Sequence, residues 1–444
     1  MAPPELDLDA NVSFENAEKI TACTNRLLAR HVCYCYEHSR FYRKKFDNTG
    51  IKPEDIQGIK DLRHLPFTRK EDIAEHNNEM LSVSSDYIVD ICQTSGTAGI
   101  PVAMPQTEND LHRLAYNEFL CFTAAGLKPQ DRVVVACAID RCFMAGLAYY
   151  LGLRRLGATA IRAGAASPSI IAEAILAHKP TAIIGVPSIL LETGKLLKQR
   201  GIEPSQSGIK RIICIGEPVK EADLSPCHLG KLLSQTWSAQ VLGTYASTEM
   251  ATSFAECAEG FGGGHINPYL IAVEIVDEND KTVPLGKPGE LIATPLQVTG
   301  MPLLRFRTGD IATILTEPCP CGRKTYRVGP VFGRKSQMLK IRGTTVFPGA
   351  IFGALHSIEG VRNFCLEIYQ EFDLSDRACV IVGIDEGAKL TEKEIVDRIS
   401  GRVRVKMEVK VAPVEEIRKR TLVENKRKPV LIFDYRTKGK PNQP

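Results

Sequence analysis

Between residues 131 and 215 the chain alternates short apolar runs with longer helix-type segments, and this alternation constrains the fold more than any other feature. "DRVVVACAI" reads as a strand, "FMAGLAYYLGLRRLG" as a helix, and "ATAIRAG" as a strand again. "SPSIIAEAILAHK", opened by a serine and a proline, reads as a second helix, and "TAIIGV" and "IKRIICIG" as two more strands. Strands that are apolar at nearly every position have both faces covered, which calls for a parallel sheet with crossover helices. The fold class is therefore α/β.

The flanks carry different patterns. The first ninety residues read mainly as helix, led by "NAEKITACTNRLLARHVCYCYEHSRFYRKKF" with apolar residues at helical spacing. After residue 265, "YLIAVEIVDENDKTVPLGKPGELIAT" is β-rich, with strands separated by turn clusters. A second boundary falls near "VFGRKSQMLKIRGTTVFPG", beyond which strands and a helix suffice for a small α+β domain. A length of 444 residues suits two or three domains. The expected division is 1–333, with mixed α/β sheets and a β-rich subdomain, and 334–444.

Composition narrows the partners. With 44% hydrophobic and 24% charged residues the chain reads as an ordinary globular protein. A formal charge of +4 gives no electrostatic case for nucleic acid or a membrane surface. The acidic start, "MAPPELDLDANVSFENAEKI", has no apolar signal core, and no run of about 18 apolar residues marks a membrane span. Fourteen cysteines scattered without a secretion signal suggest reduced thiols in the cytoplasm, where a cysteine cluster points to metal before disulfide.

Four segments carry chemistry. "CQTSGTAGIPVAM" (92–104) ends an apolar run in Ser95, Gly96, Thr97 and Gly99, residues with little packing power. Such a loop closes backbone N–H groups and hydroxyls around phosphate oxygens, or is a plain surface turn; it is not a Walker A loop. "LGTYASTEM" (242–250) places Thr248 beside Glu249. A hydroxyl and a carboxylate can hold phosphate oxygen and Mg²⁺ together, or can cap a helix. "RFRTGD" (305–310) puts Asp310 after a tight turn, where a carboxylate can take both ribose hydroxyls; an ordinary hairpin is the alternative. "IGEP" (215–218) follows a buried strand, at the end where open α/β sheets expose ligand-binding loops.

Taken in order, "TSGTAGIP", "IGEP", "TYASTE", "RFRTGD", "FGRKSQMLKIRG" and a lysine near the C-terminus resemble the motif series of adenylate-forming enzymes. Within that superfamily the chain resembles the phenylacetate–CoA ligase family, from "LPFTRKEDI" (65–73) to "ENKRKPVLIFDYR" (424–436). The resemblance implies a large N-terminal adenylate-forming domain and a small mobile C-terminal domain carrying a catalytic lysine. It also implies two half-reactions: ATP and a carboxylic acid give an acyl-adenylate and pyrophosphate, then coenzyme A displaces AMP. An aryl or arylacetic acid such as phenylacetate is the expected substrate, and a homodimer the expected assembly.

The implied roles follow the motifs. Ser95, Gly96, Thr97 and Gly99 would wrap the β- and γ-phosphates, Thr248 would touch the α-phosphate, and Glu249 would hold Mg²⁺. Gly216, Glu217 and Pro218, with Tyr245, would flank the adenine; Asp310 would bind the ribose, with Arg334 at the domain joint. Lys426 stands in the place of the catalytic lysine, although Asn425 replaces the usual glycine and Arg427 and Lys428 crowd it. Ser336 and Gln337 occupy positions where the family places paired hinge aspartates, and Val102 stands where many wider-superfamily members have lysine. Two alternatives remain: an adenylyl-transferring synthetase of the deazaflavin-adenylylating type, and a nucleotide-binding regulator without catalysis.

"ECAEGFGGGH" (256–265) and "EPCPCGR" (317–323) together supply Cys257, His265, Cys319 and Cys321. Three cysteines and a histidine match the donor set of a closed structural Zn²⁺ site; free thiols with a loop histidine are the alternative. "HVCYCYEH" (31–38) does not qualify, because residues two apart on a helix point to different sides.

Overall fold

In the computed structural model, the helical N-terminal segment is two helices, because the chain turns at Ser39 (φ −101°, ψ 120°). α1 (Ala17–His38) starts on Asn16, whose side chain accepts from the Lys19 N–H, and α2 (Arg40–Thr49) ends on Gly50 at φ +69°. The structure describes residues 4–94, 102–164, 167–341, 344–372, 375–422 and 429–436. Its two units are Met1–Val331 and Phe332–Pro444, so the division falls between 331 and 332.

In the first unit, α3 (Lys70–Glu75) and α4 (Asn77–Met80) lead to a hairpin of β1 (Ile88–Gln93) and β2 (Ala103–Thr107). α5 (Glu108–Ala124) follows, opened by a reciprocal cap between Thr107 and Asp110. The alternating region becomes β3 (Arg132–Ala136), α6 (Met144–Leu156), β4 (Thr159–Arg162), α7 (Pro168–His178), β5 (Ala182–Gly185), α8 (Pro187–Gln199) and β6 (Arg211–Ile215). It continues through α9 (His228–Trp237) and β7 (Gln240–Ser247) to β8 (Thr252–Ala255). The sheet order is β4-β3-β5-β6-β7-β8, parallel as far as β7, with β8 antiparallel at the edge.

Why these runs are apolar throughout is visible in the packing. Val133, Val135, Ile184, Ile213 and Leu242 face α5 and α6, with Phe122, Tyr149 and Leu153. Val134, Ile183 and Ile212 face the other layer, with Ile171, Leu233 and Trp237. Successive side chains point to opposite faces and both faces are covered. Gly152 lets α5 and α6 approach closely, since a Cβ there would lie 2.3 Å from Glu118 Cβ.

The β-rich part comprises β9 (Gly264–His265), β10 (Ile271–Val276), β11 (Gly289–Pro295), β12 (Phe306–Ala312), β13 (Ile314–Leu315) and β14 (Arg327–Val328). β10, β11 and β12 pair antiparallel in sequence, and β14 lies between β13 and β9. The expected tight turn in "RFRTGD" is instead a bulge within β12. Arg307 pairs with Ile292 and Ile311 with Glu290, so Thr308–Asp310 together oppose Leu291. Gly309 takes φ +74° there, which is the sequence signal that suggested a turn. Arg305, just before β12, forms a buried bidentate pair with Glu274 at 2.9 and 3.0 Å. Arg113 of α5, also buried, donates to Leu296 O at 2.6 Å, Thr252 Oγ1 at 2.9 Å, and the carbonyls of Ala251 and Leu270.

The second unit begins with β15 (Gly333–Arg334), the hairpin β16 (Leu339–Ile341) and β17 (Thr344–Val346), and α10 (Pro348–His356). β18 (Val361–Phe372), β19 (Ser375–Ile384), α11 (Glu392–Val403), β20 (Glu408–Val411), α12 (Val414–Thr421) and β21 (Ile432–Asp434) complete it. The sheet order is β20-β19-β18-β21, and Ile351, Leu355, Leu366, Ile368, Val380, Val382, Ile395 and Ile399 form its core. Arg436 anchors the C-terminal strand to Asp434, Asp376 and the carbonyls of Met338 and Ser336. Among the described residues no helix is long and apolar enough to cross a membrane.

Candidate active site and metal centre

The ends of β6 and β7 carry the first group of expected residues. Gly216 leaves β6 at φ +73°, a conformation open to glycine, and turns the chain into the following loop. Glu217 is then fixed at the start of α8, where its two carboxylate oxygens accept from Ser188 N and Ser188 Oγ, each at 2.9 Å. Pro218 is exposed, and its carbonyl accepts from Cys227 Sγ at 3.5 Å. Tyr245 on β7 stacks on Phe254, with ring centroids 6.0 Å apart and planes at 12°. Its hydroxyl donates to Asp310 Oδ2 at 2.8 Å. The β12 bulge makes this contact by aiming the carboxylate at β7, while Thr308 Oγ1 accepts from the Asp310 N–H.

Thr248 and Glu249 follow β7 in a turn, not a helix cap: Ala251 N donates to Thr248 O at 3.2 Å. Glu249 is 8% exposed, and its Oε1 lies 3.1 Å from Nζ of Lys70, the first residue of α3. Lys70 escaped the sequence reading because "FTRKED" looks like a plain helix start; proximity to Glu249 arises only when α3 meets the end of β7. Replacing Lys70 by alanine leaves a buried carboxylate without its ammonium partner. With the adenylate-forming activity that the motif series implies, pyrophosphate exchange is expected to fall by about 10–100-fold in kcat/KM in Lys70→Ala and to be partly restored in Lys70→Arg, since preorganised charge at developing anions contributes on this scale. Unchanged exchange kinetics in Lys70→Ala would reduce the pair to a surface-type contact.

The loop 95–101 is bounded by a double clasp: Thr94 N donates to Val102 O at 3.0 Å, and Val102 N to Thr94 Oγ1 at 3.1 Å. Val102 itself is buried. Ser95, Gly96, Thr97 and Gly99 lie outside the described residues, as do Asn425, Lys426, Arg427 and Lys428. Arg334 belongs to β15 of the second unit, followed by a short 3₁₀ turn over Lys335–Gln337.

Cys257, His265, Cys319 and Cys321 converge, with their ligand atoms all within 4.8 Å of one another; among the described residues this is the one such group. Cys257 Sγ lies 3.4 Å from Cys319 Sγ, and Cys321 Sγ 3.4 Å from His265 Nε2. His265 Nδ1 meets Thr325 Oγ1 at 3.2 Å, which orients the ring and leaves Nε2 toward the thiols. Gly260 allows the loop to pass: a Cβ there would sit 2.7 Å from Cys257 Sγ and 3.2 Å from Cys319 Sγ. Burial, with Arg323 and Arg327 nearby, lowers the His265 pKa to about 3, so the imidazole is neutral at physiological pH. The "HVCYCYEH" segment lies on α1 and contributes no such group.

A further polar cluster sits inside the α5 layer. Glu118 is 3% exposed, and its Oε1 accepts from Asn117 Nδ2 at 3.0 Å and from Ser253 Oγ. Asn117 Nδ2 also donates to Ser253 Oγ at 2.6 Å. Burial raises the Glu118 pKa from 4.5 to about 7, against the lowering effect of the Ser253 and Asn117 hydrogen bonds. A raised folded-state value means the native state holds a proton that the unfolded chain releases. The associated stability is complete below about pH 4.5 and is lost as pH rises through 7. That difference corresponds to roughly 3 kcal/mol. Urea unfolding from pH 4.5 to 8.5 should show the wild-type chain losing this amount relative to Glu118→Gln; parallel pH profiles would refute it.

Comparison with known proteins places these features in a family. Residues 9–300 match the AMP-binding enzyme family. The phenylacetate-coenzyme A ligase of Thermus thermophilus is 30% identical over 392 residues, covering 86% of each chain. The phenylacetate-coenzyme A ligase of Escherichia coli is 30% identical over 342 residues, 76% of each chain. In fold, the chain is similar to 2-hydroxyisobutyryl-CoA ligase in its postadenylation state, with a TM-score of 0.84 at 23% identity, over 96% of this chain and 92% of that one. The α/β architecture, the Tyr245–Asp310 contact beside the ends of the parallel strands and this identity over most of the length lead to one assignment: the chain belongs to the phenylacetate–CoA ligase family of AMP-binding, adenylate-forming enzymes.

Proposed function

We propose that this AMP-forming acid–CoA ligase activates an aryl or arylacetic carboxylate such as phenylacetate. The observation that carries the reading is the pairing of Tyr245 on β7 with Asp310 on β12, and of Glu249, just after β7, with Lys70 of α3. In the first half-reaction a carboxylate oxygen of the acid bonds to the α-phosphorus of ATP, and pyrophosphate leaves. In the second, the thiol sulfur of coenzyme A bonds to the acyl carbon, AMP leaves, and the thiol proton is released.

Each side chain has a part in this reading. Asp310, held by Tyr245, receives the ribose hydroxyls; Gly216, Glu217 and Pro218 border the adenine; Thr248 contacts the α-phosphate. Ser95, Gly96, Thr97 and Gly99 hold the β- and γ-phosphates, Lys426 is the catalytic lysine, and Arg334 belongs to the nucleotide-binding set. Glu249, whose carboxylate also meets Lys70, would hold Mg²⁺. When bound, Mg²⁺ supplies charge neutralisation for the phosphates. Cys257, His265, Cys319 and Cys321 hold a structural Zn²⁺, since four donors leave no open position for chemistry. We place the enzyme in the cytoplasm as a homodimer, with small-molecule partners and no nucleic acid.

Pyrophosphate exchange against a panel of carboxylic acids, followed by addition of coenzyme A, tests the proposal. The expected result is exchange with an aryl or arylacetic acid and AMP release matched by thioester. AMP release without thioester would point to adenylyl transfer instead, and no exchange with any acid to a regulator.

A further inference from the structure

Glu118 and Thr244 line one small cavity against the α5–α6 face of the large sheet, together with Cys121, Phe122, Ile213 and Leu242. Two polar atoms at this cavity lack partners among the described residues. Thr244 Oγ1 is buried without a hydrogen bond. Both donors to Glu118 reach Oε1, so Oε2 is unengaged. A buried hydroxyl without a partner, at a cavity that the Glu118 carboxyl group also lines, is costly unless something polar completes it. The space is about that of one water molecule, enough for a hydroxyl group and too small for a ring.

The position connects this cavity to the reaction. Thr244 directly precedes Tyr245 on β7 and pairs with Ile215, the last residue of β6, so this wall of the cavity is level with the end of β6, while Ile213, Leu242 and Ala255 line its deeper part within the sheet. Tyr245 turns toward Asp310, whereas Thr244, one residue away, turns to the opposite face. An acid whose carboxylate meets the α-phosphate beside Thr248 can extend its other end along that face.

We propose that this cavity is a specificity subsite for a hydroxylated acid, whose hydroxyl donates to Glu118 Oε2 and accepts from Thr244 Oγ1. A hydroxyl fits both atoms because it donates and accepts at once. The proposal rests on the acid–CoA ligase reading and adds the polar substituent to it. Glu118 and Thr244 act on substrate selection, and neither touches the reacting atoms.

The test compares pyrophosphate exchange with phenylacetate, 3-hydroxyphenylacetate and 4-hydroxyphenylacetate in the wild-type enzyme, Thr244→Val and Glu118→Gln. A site built to bond a substrate hydroxyl can reject the analogue lacking it by large factors, and about 100-fold in kcat/KM is expected for the preferred hydroxylated acid. Thr244→Val, nearly isosteric, should cut that preference at least about tenfold while leaving the KM for ATP unchanged, which a folding defect would not do. Glu118→Gln, which keeps an acceptor oxygen, should lower it less. Equal use of phenylacetate, with the ratio unmoved in Thr244→Val, would mean that the cavity holds only a structural water. That outcome overturns the subsite and leaves the ligase reading intact. Absence of exchange with every acid in a broader panel would remove the ligase reading and the subsite together.

Discussion

Lys426→Ala is expected to slow adenylation by about 10²–10³-fold while thioester formation from supplied acyl-adenylate largely survives. The reason is electrostatic. A carboxylate must approach a polyanionic triphosphate, and the transition state adds charge around the α-phosphorus. Val102 occupies the position where many wider-superfamily members have a loop lysine, and its side chain is buried in the core. On the proposed reading, the 95–101 loop would work through backbone N–H groups and hydroxyls, and cationic help would fall to Mg²⁺, Lys70 and Lys426. The second half-reaction has no pyrophosphate to stabilise, so it should not depend on the same lysine. Pyrophosphate exchange measures the first half and single-turnover thioester formation the second. Lys428→Ala serves as the control for a neighbouring cation. Equal loss in both halves would show that Lys426 merely supports the C-terminal segment.

On the proposed structural zinc site, loss of the ion is expected to cost the first unit a measurable part of its stability. Cys257 follows β8, His265 lies on β9, and Cys319 and Cys321 fall between β13 and β14, so one ion would cross-link three segments of the β-rich region. Structural zinc contributes about 10–16 kcal/mol to folding in small peptides, where nothing else holds the ligands together. In this larger unit part of the arrangement forms without it, and a loss of a few kcal/mol is expected from Cys319→Ser. At about 2–4 °C per kcal/mol for a sizeable domain, the melting midpoint should drop by roughly 5–15 °C. Atomic absorption should find one zinc per chain in the wild type and well under that in Cys319→Ser. Metal-free wild-type protein with an unchanged melting midpoint after chelation would refute the site. Because thiolates and neutral imidazole bind the ion, affinity should also weaken as pH falls.

The alternating region was legible because local pattern and tertiary role agree there. Val133, Val134 and Val135 are apolar in succession because alternate side chains enter different layers, as in a parallel sheet covered on both faces. The cysteine–histidine set was legible for a different reason: few structural roles combine three thiols and an imidazole. The β12 bulge was not legible. "RFRTGD" contains a glycine at positive φ, which a turn and a bulge both need, and only pairing with β11 distinguishes them.

What the sequence determined by itself was the chain's local chemistry: continuous apolar strands, glycine where the backbone must leave a strand sharply, and residue types suited to phosphate, ribose and metal. These depend on neighbours along the chain, or on a family pattern that preserves their order. What only the tertiary structure decided was which distant atoms meet. Tyr245 reaches Asp310 across 65 residues, Glu249 reaches Lys70 although they lie on separate elements, and Asn117, Glu118 and Ser253 form one buried cluster. Asn117 and Glu118 are adjacent polar residues of α5. They are buried because Gly152 draws α6 tightly over α5 and β8 closes the other side, and that enclosure depends on packing between segments that the local pattern cannot specify.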